Sequence, residues 1–425
     1  MKLTKLEKNW VLYDVGNSAF VLMISTVIPI YFKNLASAAG MPDAESTARW
    51  GYAASIVTVI VAVLGPTLGS LGDHRGFKKK LFVAFLLLGV AAYAALAIPW
   101  SWAAFLIVFI VAKTGLSGSF IFYDAMLPDV TSDERLDQVS SYGYAFGYLG
   151  SCIPFVACLG LILTANTTGI GTQTATLIAF LVTAAWWLLC SAPLLRSYQQ
   201  RYFVQDTAHP VRESLSRLWS TLRDIRGNVQ VFSFLLAFFL YIDGVSTIIE
   251  MATSYGKDVG ISDNDLLLAL LLTQVVAFPF AILFGRLSKR FSTPMLILVC
   301  IAGYFGVTLF ALQLDQTWEF WFLAVCVAVF QGAIQALSRS YYARIIPKDK
   351  ANEYFGLFDI FGKGAAFFGT MIMSVATQIF GHSRYGVACI AALFAVGFLS
   401  TCGTAGSAGW AKARRLAARP PDKCE

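Results

Sequence analysis

Residues 68–81, LGSLGDHRGFKKKL, form a short glycine-rich and basic segment between two long apolar stretches of the chain. The glycines of this segment permit a tight turn and the close approach of neighbouring helices. Its only acid can accept hydrogen bonds from a helix N-terminus or pair with an arginine of a neighbouring helix, and such a contact can break and reform when helices move. The segment predicts a gating loop whose candidate residues are Gly69, Gly72, Asp73, Arg75 and Gly76.

Outward from this loop, the chain consists of apolar stretches that are each about 20 residues long and are separated by short polar loops. A stretch of this length crosses the hydrocarbon core as a helix, because only a helix satisfies its own backbone hydrogen bonds there. Only 13% of the residues are charged, whereas a soluble domain carries about 25%. The sequence predicts an all-α polytopic membrane protein with twelve transmembrane helices at residues 10–32, 51–70, 81–99, 102–127, 138–163, 175–195, 229–252, 264–287, 293–314, 317–345, 352–379 and 385–405.

The net charge of +7 is distributed unevenly between the two sides of the predicted membrane. Alternate loops, beginning with the N-terminal segment, carry 25 Lys and Arg residues, whereas the opposite loops carry only Lys33, Arg49, Lys257 and Arg384. Because positively charged loops stay in the cytoplasm, this bias predicts that both termini are cytoplasmic. The basic surface suits anionic lipid head groups rather than nucleic acid.

The predicted spans divide into two groups of six. Residues 1–195 form the N-terminal half and residues 229–405 form the C-terminal half, with a polar cytoplasmic linker at 196–228 and a basic cytoplasmic tail at 406–425. Apolar residues at helical spacing in the linker are typical of an amphipathic helix on the membrane surface, but a solvated connector accounts for them equally well.

The two halves resemble each other in sequence. LYDVGNSAF at residues 12–20 is echoed by LYIDGVSTI at 240–248, and SYGYAFGYLG at 141–150 is echoed by YFGLFDIFGKG at 354–364. A parallel repeat of six plus six helices is typical of transporters that rock two halves around a site near the middle of the membrane.

The gating loop resembles the loop signature of the major facilitator superfamily, in which an aspartate between glycines is followed by Arg and Lys. The corresponding loop of the second half keeps Gly285, Arg286 and Lys289 but has no acid, so a latch there is degraded or differently connected. This resemblance implies the major facilitator fold, with two six-helix halves related as a parallel repeat.

A narrower resemblance covers most of the chain. Five motifs are similar to the branch that contains the fungal vacuolar amino-acid effluxers linked to autophagy and their bacterial relatives: WVLYDVGNSAF at 10–20, FYDAMLPDV at 122–130, SSYGYAFGYLG at 140–150, QGAIQALSRSYYARIIP at 331–347 and EYFGLFDIFGKG at 353–364. This resemblance implies a twelve-helix exporter, proton-linked or facilitative, whose fungal members are best associated with amino acids. It also favours a bacterial inner (plasma) membrane as the location of the chain.

Polar residues inside the predicted spans are candidate substrate or proton sites, because ionisable groups are costly at bilayer depth. Span one carries a polar cluster within one turn, made of Tyr13, Asp14 and Asn17. Span seven carries a polar stripe made of Tyr241, Asp243, Thr247 and Glu250. Asp14 can bind a proton or hydrogen-bond a neighbouring helix. Asp243 is the deepest acid and the first candidate for a proton carrier, whereas Glu250 can also simply reach the external interface.

Two further ionisable residues lie in span four. Lys113 is near its middle and needs a partner, for which Asp14 and Asp243 are candidates, unless it binds a carboxylate or phosphate of the substrate. Asp124 is near the cytoplasmic end of the span, and we expect it to cap the turn or to join the loop latch.

Span ten carries a stripe of hydrogen-bonding side chains made of Gln331, Gln335, Ser338 and Arg339. The amides can hold a polar ligand by directional hydrogen bonds. Arg339 can bind a substrate carboxylate or phosphate, or can form a structural ion pair with Asp359. Asp359 and Lys363 are four residues apart in span eleven with the acid first, which predicts a structural ion pair between them.

These residues favour a secondary active transporter that moves a small polar solute, an amino acid or a related zwitterion or anion, by proton-coupled rocking of its two halves. A lysolipid or lipid flippase and a non-transporting membrane sensor are the alternatives. The sequence has no P-loop, nucleophile elbow or metal-ligand spacing, so we expect no enzyme activity, catalytic residue, cofactor or metal. The expected partners are a small-molecule substrate, protons and membrane lipids, and the chain is expected to be a monomer because it carries both halves of the cavity.

Overall fold

The computed structural model describes residues 2–204, 228–258 and 260–417. The described residues fold into α-helices that are joined by short connections. The helices are α1 (Lys5–Ser25), α2 (Val27–Ala38), α3 (Asp43–Gly72), α4 (Phe77–Ala95), α5 (Trp102–Ala125), α6 (Leu127–Val130), α7 (Leu136–Leu163), α8 (Thr172–Ser197), α9 (Val229–Asp258), α10 (Asp263–Leu287), α11 (Thr293–Ala311), α12 (Thr317–Ile345), α13 (Ala351–Phe380) and α14 (Ser383–Ala417).

Within the described residues, 11 helical segments are long and apolar enough to cross a membrane. One of them combines α1 and α2, which are separated at Thr26 because Pro29 has no N–H for the carbonyl one turn earlier and its ring crowds that carbonyl. The remaining predicted span is α4, which has 19 residues like α11 but carries Lys78, Lys79 and Lys80 in its first turn. With α4 included, the described part of the chain has the twelve transmembrane helices that the sequence predicts.

Several helices extend beyond the predicted spans. α9 continues to Asp258 instead of ending near residue 252, which places Asp243 at the midpoint of the helix. α14 continues to Ala417, so helix occupies much of the segment that the sequence assigns to the basic tail. That segment is rich in alanine and has no proline before Pro420, so nothing in it stops the helix earlier.

The beginning of the linker packs on the gating loop. α8 ends at Ser197, and the residues that follow run beside the loop. Gln200 accepts the N–H of Gly76 at 2.9 Å, and the N–H of Val204 donates to the carbonyl of Asp73 at 3.0 Å. The linker residues for which the sequence predicts an amphipathic helix lie outside the described part of the chain.

Lys78 in the first turn of α4 is fully buried against α6. Its Nζ lies 2.8 Å from Oδ2 of Asp129 and donates to the carbonyl of Ala125 at 3.1 Å. The hydroxyl of Tyr198, just after α8, donates to the same Asp129 oxygen at 2.6 Å. Since a buried charge is tolerated only when it is paired and hydrogen-bonded, this pair fixes the start of α4.

One hydrogen bond recurs in both halves of the chain. The hydroxyl of Tyr13 in α1 lies 2.6 Å from Oγ of Ser119 in α5, and the hydroxyl of Tyr241 in α9 lies 2.6 Å from Oγ of Ser338 in α12. All four residues are buried. The repeated sequence around the two tyrosines therefore corresponds to a repeated contact, which ties the first span of each half to its fourth.

The two halves meet along pairs of helices. α3 packs on α13, α10 packs on α7, and α12 also contacts α7. Gly65 and Gly356 allow the backbones of α3 and α13 to approach closely, because a Cβ at Gly356 would overlap the backbone of Gly65. The seam between the halves is therefore formed by two similar helix crossings and by α12.

Candidate functional site

The gating loop closes on the N-terminus of α13. Oδ1 of Asp73 accepts the backbone N–H of Asn352 at 2.8 Å and its side-chain amide at 2.7 Å, and Oδ2 accepts the N–H of Glu353 at 3.0 Å. A carboxylate in this position satisfies donors that the beginning of a helix leaves unpaired. The sequence offers either a helix N-terminus or an arginine as the partner of Asp73, and in the structure Asp73 bonds to a helix N-terminus.

Burial controls the acidity of this loop residue. Asp73 is 2% exposed, and burial raises its pKa to about 7, against the opposing effects of the Lys78 charge and of the hydrogen bonds from Asn352 and Glu353. The Asp73 latch, defined as Asp73 with Asn352 and Glu353, is therefore sensitive to pH near neutrality.

The remaining gating-loop residues have distinct structural roles. A Cβ at Gly69 would overlap the carbonyl of Asn352, and a Cβ at Gly72 would overlap the ring of Phe122, so both glycines permit the close crossing. Gly76 has a φ of 76°, a left-handed conformation that favours glycine. Arg75 is exposed and lies over an aromatic ring of the linker rather than on a carboxylate.

The second half has a latch built from different residues. Asp137, in the first turn of α7, accepts hydrogen bonds from Ser340 at 2.5 Å, from Arg344 at 2.8 Å and from Thr293 at 2.9 Å. Gly285, from the second copy of the loop, packs against α7 beside it. The acid that this loop lacks is thus supplied by the opposite half, through a residue that was not predicted from the sequence.

Both latches lie at the end of the bundle where α1 begins and α8 ends. We call it the basic end, because its loops carry most of the Lys and Arg residues. The hydrogen bonds and ion pairs between the two halves cluster toward this end, and Arg339 makes the most deeply buried of the ion pairs.

Arg339 projects from α12 into the N-terminal half, where it is 3% exposed. Its Nη1 lies 3.0 Å from Oδ1 of Asp124 in α5, and its Nη2 lies 3.3 Å from Oδ2 of Asp14 in α1. Its Nε donates to Oγ of Ser140 in α7 at 2.9 Å, and Nη2 donates to the Ser140 carbonyl at 3.1 Å. One guanidinium therefore joins the C-terminal half to three helices of the other half.

Three aromatic rings surround the same guanidinium. Its Cζ lies 4.4 Å from the ring centroid of Tyr144, 4.7 Å from that of Trp10 and 5.6 Å from that of Tyr123. A cation is attracted to the face of an aromatic ring at such distances. Gly143 leaves room for the group, because a Cβ there would overlap the guanidinium.

One alternative and one expectation about this region are wrong. Arg339 does not pair with Asp359, whose carboxylate lies 2.6 Å from Nζ of Lys363. Asp124 neither caps its turn nor joins the loop latch through its side chain, which pairs with Arg339 instead. Both errors have one physical reason: the direction in which α12 faces the N-terminal half decides the partners, and spacing along the chain does not report that direction.

Asp243 is 1% exposed, and its Oδ1 accepts the backbone N–H of Gly369 in α13 at 2.7 Å. A Cβ at Gly369 would overlap the side chains of Asp243 and Thr247. Within the described residues, no Lys or Arg pairs with Asp243, and the buried hydroxyl of Thr247 has no hydrogen-bond partner. Asp243 is thus a buried acid held by a neutral group.

Lys113 lies in α5 near α9 and α13. The charged groups that act on it are Glu250 and Lys363, not the Asp14 or Asp243 that the sequence offers as partners. Glu250 is exposed, and the side chain of Lys363 is 29% exposed. Lys113 therefore interacts electrostatically with ionisable groups of the other half, at mid-helix or farther from the basic end.

The other candidate residues of spans one, seven and ten have different partners. Asn17 donates to Oδ1 of Asp14 at 3.3 Å, and Gln335 donates to the hydroxyl of Tyr148 in α7 at 3.2 Å. Tyr13 and Tyr241 hold the repeated contacts with serine described above. Gln335 therefore joins the halves, whereas the two tyrosines act within them.

Two candidates line a separate cavity inside the C-terminal half. This cavity has a volume of about 130 Å³, lies among α9, α10, α11 and α12, and is mostly apolar. Thr247 and Gln331 are among its few polar residues. The structure does not bring these two side chains to Arg339.

Several partners of Arg339 were not predicted from the sequence as site residues. These partners are Trp10, Tyr123, Ser140 and Tyr144. All four lie in the motifs that carried the family resemblance, WVLYDVGNSAF, FYDAMLPDV and SSYGYAFGYLG. The motifs, rather than intramembrane charge alone, were the signal that could have found them.

Two solved structures share this fold. The crystal structure of the human organic anion transporter MFSD10 (TETRAN) matches with a TM-score of 0.72 and 15% identity, over 93% of this chain and 98% of that chain. The crystal structure of a Major Facilitator Superfamily transporter, FucP, in the outward conformation matches with a TM-score of 0.70 and 15% identity, over 94% of this chain and 97% of that chain. At this identity the two matches show the fold alone.

Sequence relatives identify the branch. A family model described as "Vacuole effluxer Atg22 like" matches residues 4–411. The chain is also 44% identical over 403 residues to an uncharacterized MFS-type transporter, YxiO, of Bacillus subtilis (strain 168), with 94% of each chain covered. The chain therefore belongs to the Atg22-like vacuole effluxer family of the major facilitator superfamily and is a multi-pass membrane transporter.

Proposed function

We propose that the chain is a secondary active transporter of a small polar solute, an amino acid or a related zwitterion or anion, that is coupled to protons and rocks its two halves. The observation that carries this proposal is the position of Arg339. This buried cation joins the C-terminal half to α1, α5 and α7 through contacts that break when the halves separate at the basic end. The latches at Asp73 and Asp137 break in the same movement.

The charge bias of the loops supports a cytoplasmic basic end, and the Bacillus relative supports a bacterial plasma membrane. With that orientation, the latched structure corresponds to the state that is closed to the cytoplasm. The solute then enters from the opposite side, toward Lys113, Glu250 and Lys363.

Asp243 is the group best suited to carry the proton. A lone buried carboxylate is costly in its charged form, so it takes up a proton when no cation is near. Movement of α9 relative to α13 changes the surroundings of Asp243 and thereby its affinity for the proton. Asp14 is less suited, because it shares the charge of Arg339 with Asp124.

The accessible charges at mid-helix support a solute that carries charge itself. Lys113 and Lys363 can bind a carboxylate, and Glu250 can bind an ammonium group. The nearby Asp359 already pairs with Lys363 at 2.6 Å, so a solute carboxylate competes with it for that lysine. This combination favours a zwitterion.

The test is transport by the purified chain in proteoliposomes. Vesicles loaded with unlabelled amino acids should exchange them for labelled solute, and an imposed pH gradient should drive accumulation above equilibrium. Protein-free vesicles are the control. The proposal is overturned if amino acids, dipeptides, nucleosides and organic phosphates all fail to move.

The apolar cavity in the C-terminal half favours a second candidate, a lysolipid flippase. Its mostly apolar wall can hold part of an acyl chain, and Gln331 is one of the polar residues that line it. In the same vesicles, a lysolipid with a fluorescent head group should then lose its accessibility to an external quencher. Lysolipid movement without solute exchange would favour this candidate over the first.

A further inference from the structure

The site that holds Arg339 is built by the N-terminal half, while Arg339 itself comes from the C-terminal half. The site consists of two carboxylates, three aromatic rings and one serine, and we call it the Arg339 socket: Asp14, Asp124, Trp10, Tyr123, Tyr144 and Ser140. Carboxylates combined with the faces of aromatic rings bind organic cations.

The socket is held together by bonds that do not involve Arg339. Nε1 of Trp10 donates to the carbonyl of Tyr123 at 3.1 Å, and the hydroxyl of Tyr123 donates to the carbonyl of Trp10 at 3.1 Å. The two rings stack with centroids 4.5 Å apart. Asn17 also donates to Asp14 at 3.3 Å. The socket therefore keeps its shape when Arg339 leaves.

The departure of Arg339 leaves a charge that must be compensated. Opening of the basic end moves α12, and Arg339 with it, away from α1, α5 and α7. Asp14 and Asp124 then lie close together without their cation, and a buried carboxylate without a partner is strongly unfavourable. A cation that enters the socket in that state restores the compensation that protonation of a carboxylate would otherwise have to supply.

We propose that the socket binds the ammonium group of the transported solute when the basic end is open, and that Arg339 replaces it when this end closes. This inference rests on the alternating access proposed above. A guanidinium and an ammonium group each carry one positive charge, so the replacement leaves the charge of the socket unchanged. The replacement requires no proton in the socket, so Asp243 remains the proposed proton site. The socket would therefore select solutes that carry an amino group, including zwitterions, over simple anions.

The test uses the full-length Arg339→Ala variant, which empties the socket. Thermal unfolding is measured with n-propylammonium, n-propylguanidinium and the neutral n-propanol. We expect both cations, but not the alcohol, to raise the unfolding midpoint of the variant, because only a bound ligand stabilises the folded chain. The wild-type chain should not respond, since Arg339 fills its socket.

The matched control is Arg344→Ala. Arg344 lies on the same helix and also pairs with an acid of the N-terminal half, Asp137 at 2.8 Å, but no aromatic ring of the described residues lies over its guanidinium. A cation response of equal size in Arg344→Ala and Arg339→Ala would overturn the proposal. So would the absence of any response in Arg339→Ala.

Two further variants keep the test independent of folding. Arg339→Gln retains an amide donor for Asp124 and should show the same selectivity if Arg339→Ala cannot be purified. Adding Asp124→Asn to either variant removes one carboxylate and should weaken cation binding about tenfold or more. Unchanged binding in the double variant would overturn the assignment of the carboxylates.

Transport measurements separate this inference from the proposed function. A solute that moves at the same rate as its analogue without the amino group would overturn the ammonium site, while the transporter assignment stands. Cation binding to Arg339→Ala without flux of any solute would overturn the proposed function, and the solute assignment of the socket with it.

Discussion

Oδ1 of Asp243 accepts the backbone N–H of Gly369 at 2.7 Å, which connects the midpoint of α9 to the interior of α13. This donor is neutral, and within the described residues no Lys or Arg pairs with the carboxylate. The bond holds the position of the side chain but does not require its charge. A proton can bind to the second oxygen while the bond to Gly369 persists.

Replacement of Asp243 by asparagine should separate solute movement from proton coupling. Asn keeps an oxygen that accepts the N–H of Gly369 but cannot bind or release the proton. We expect labelled solute to exchange across vesicles containing Asp243→Asn, while a pH gradient no longer drives accumulation. Asp315→Asn, an exposed acid 3.5 Å from Arg384, is the control and should accumulate solute normally. Gradient-driven accumulation by Asp243→Asn at the wild-type level would contradict the role of this residue.

A methyl group at Gly369 should destabilise the chain. The Cβ would overlap Asp243 and Thr247, and overpacking of this kind costs about 1–3 kcal/mol. Gly364→Ala is the matched control, because Gly364 lies in the same helix with open space around the Cβ position. In thermal unfolding, Gly369→Ala should lose stability and Gly364→Ala should gain up to about 1 kcal/mol from helix propensity. Equal changes in stability in Gly369→Ala and Gly364→Ala would show that the contact between Gly369 and Asp243 is not tight.

The Asp73 latch should make stability depend on pH. Burial raises the pKa of Asp73 to about 7 from its ordinary value of 3.8, so between these values the folded chain binds a proton that the unfolded chain releases. This contribution to stability is complete below about pH 4 and is lost as pH rises through about 7. The unfolding midpoint of the wild-type chain should therefore fall between pH 5 and pH 8 more steeply than that of Asp73→Asn, since Asn resembles the protonated acid. Identical slopes would exclude Asp73 as the source.

Lys113 and Glu250 should act together in solute binding. Their charges interact across the two halves, so removal of either leaves the other unbalanced. We expect Lys113→Gln and Glu250→Gln each to weaken solute affinity, and the double variant to weaken it by less than the sum of the two free-energy changes. Lys33→Gln, at an exposed lysine in α2, serves as the control. Strict additivity in the double variant would show that the two charges act independently.

The spans and the gating loop could be predicted from the sequence because their signals are local. Apolar length determines where α12 lies, and its predicted bounds at 317–345 coincide with the helix. The glycines and the acid of the gating loop likewise predict a turn with a breakable contact. Pro29 predicts the interruption of the first span only if the backbone chemistry of proline is considered along with hydropathy.

The partners of the intramembrane charges could not be predicted, because they depend on how each helix is rotated about its axis. Asp14 and Arg339 are separated by 325 positions in the chain, and neither residue indicates which face of its helix meets the other half. The same limitation explains Lys113, whose charged neighbours lie on α9 and α13. The repeated tyrosines and Ser338 were visible in the sequence, but Ser119 and the pairing of each tyrosine with a serine were not.

The buried pair of Lys78 and Asp129 has a consequence for the synthesis of the chain. Asp129 follows Lys78 by 51 positions, so it is translated later. Lys78 lies in the first turn of α4 at the basic end, where an ammonium group can stay in contact with water until its partner is present. We therefore expect the start of α4 to become fixed and buried only after α5 and α6 have been translated and Asp129 can pair with Lys78.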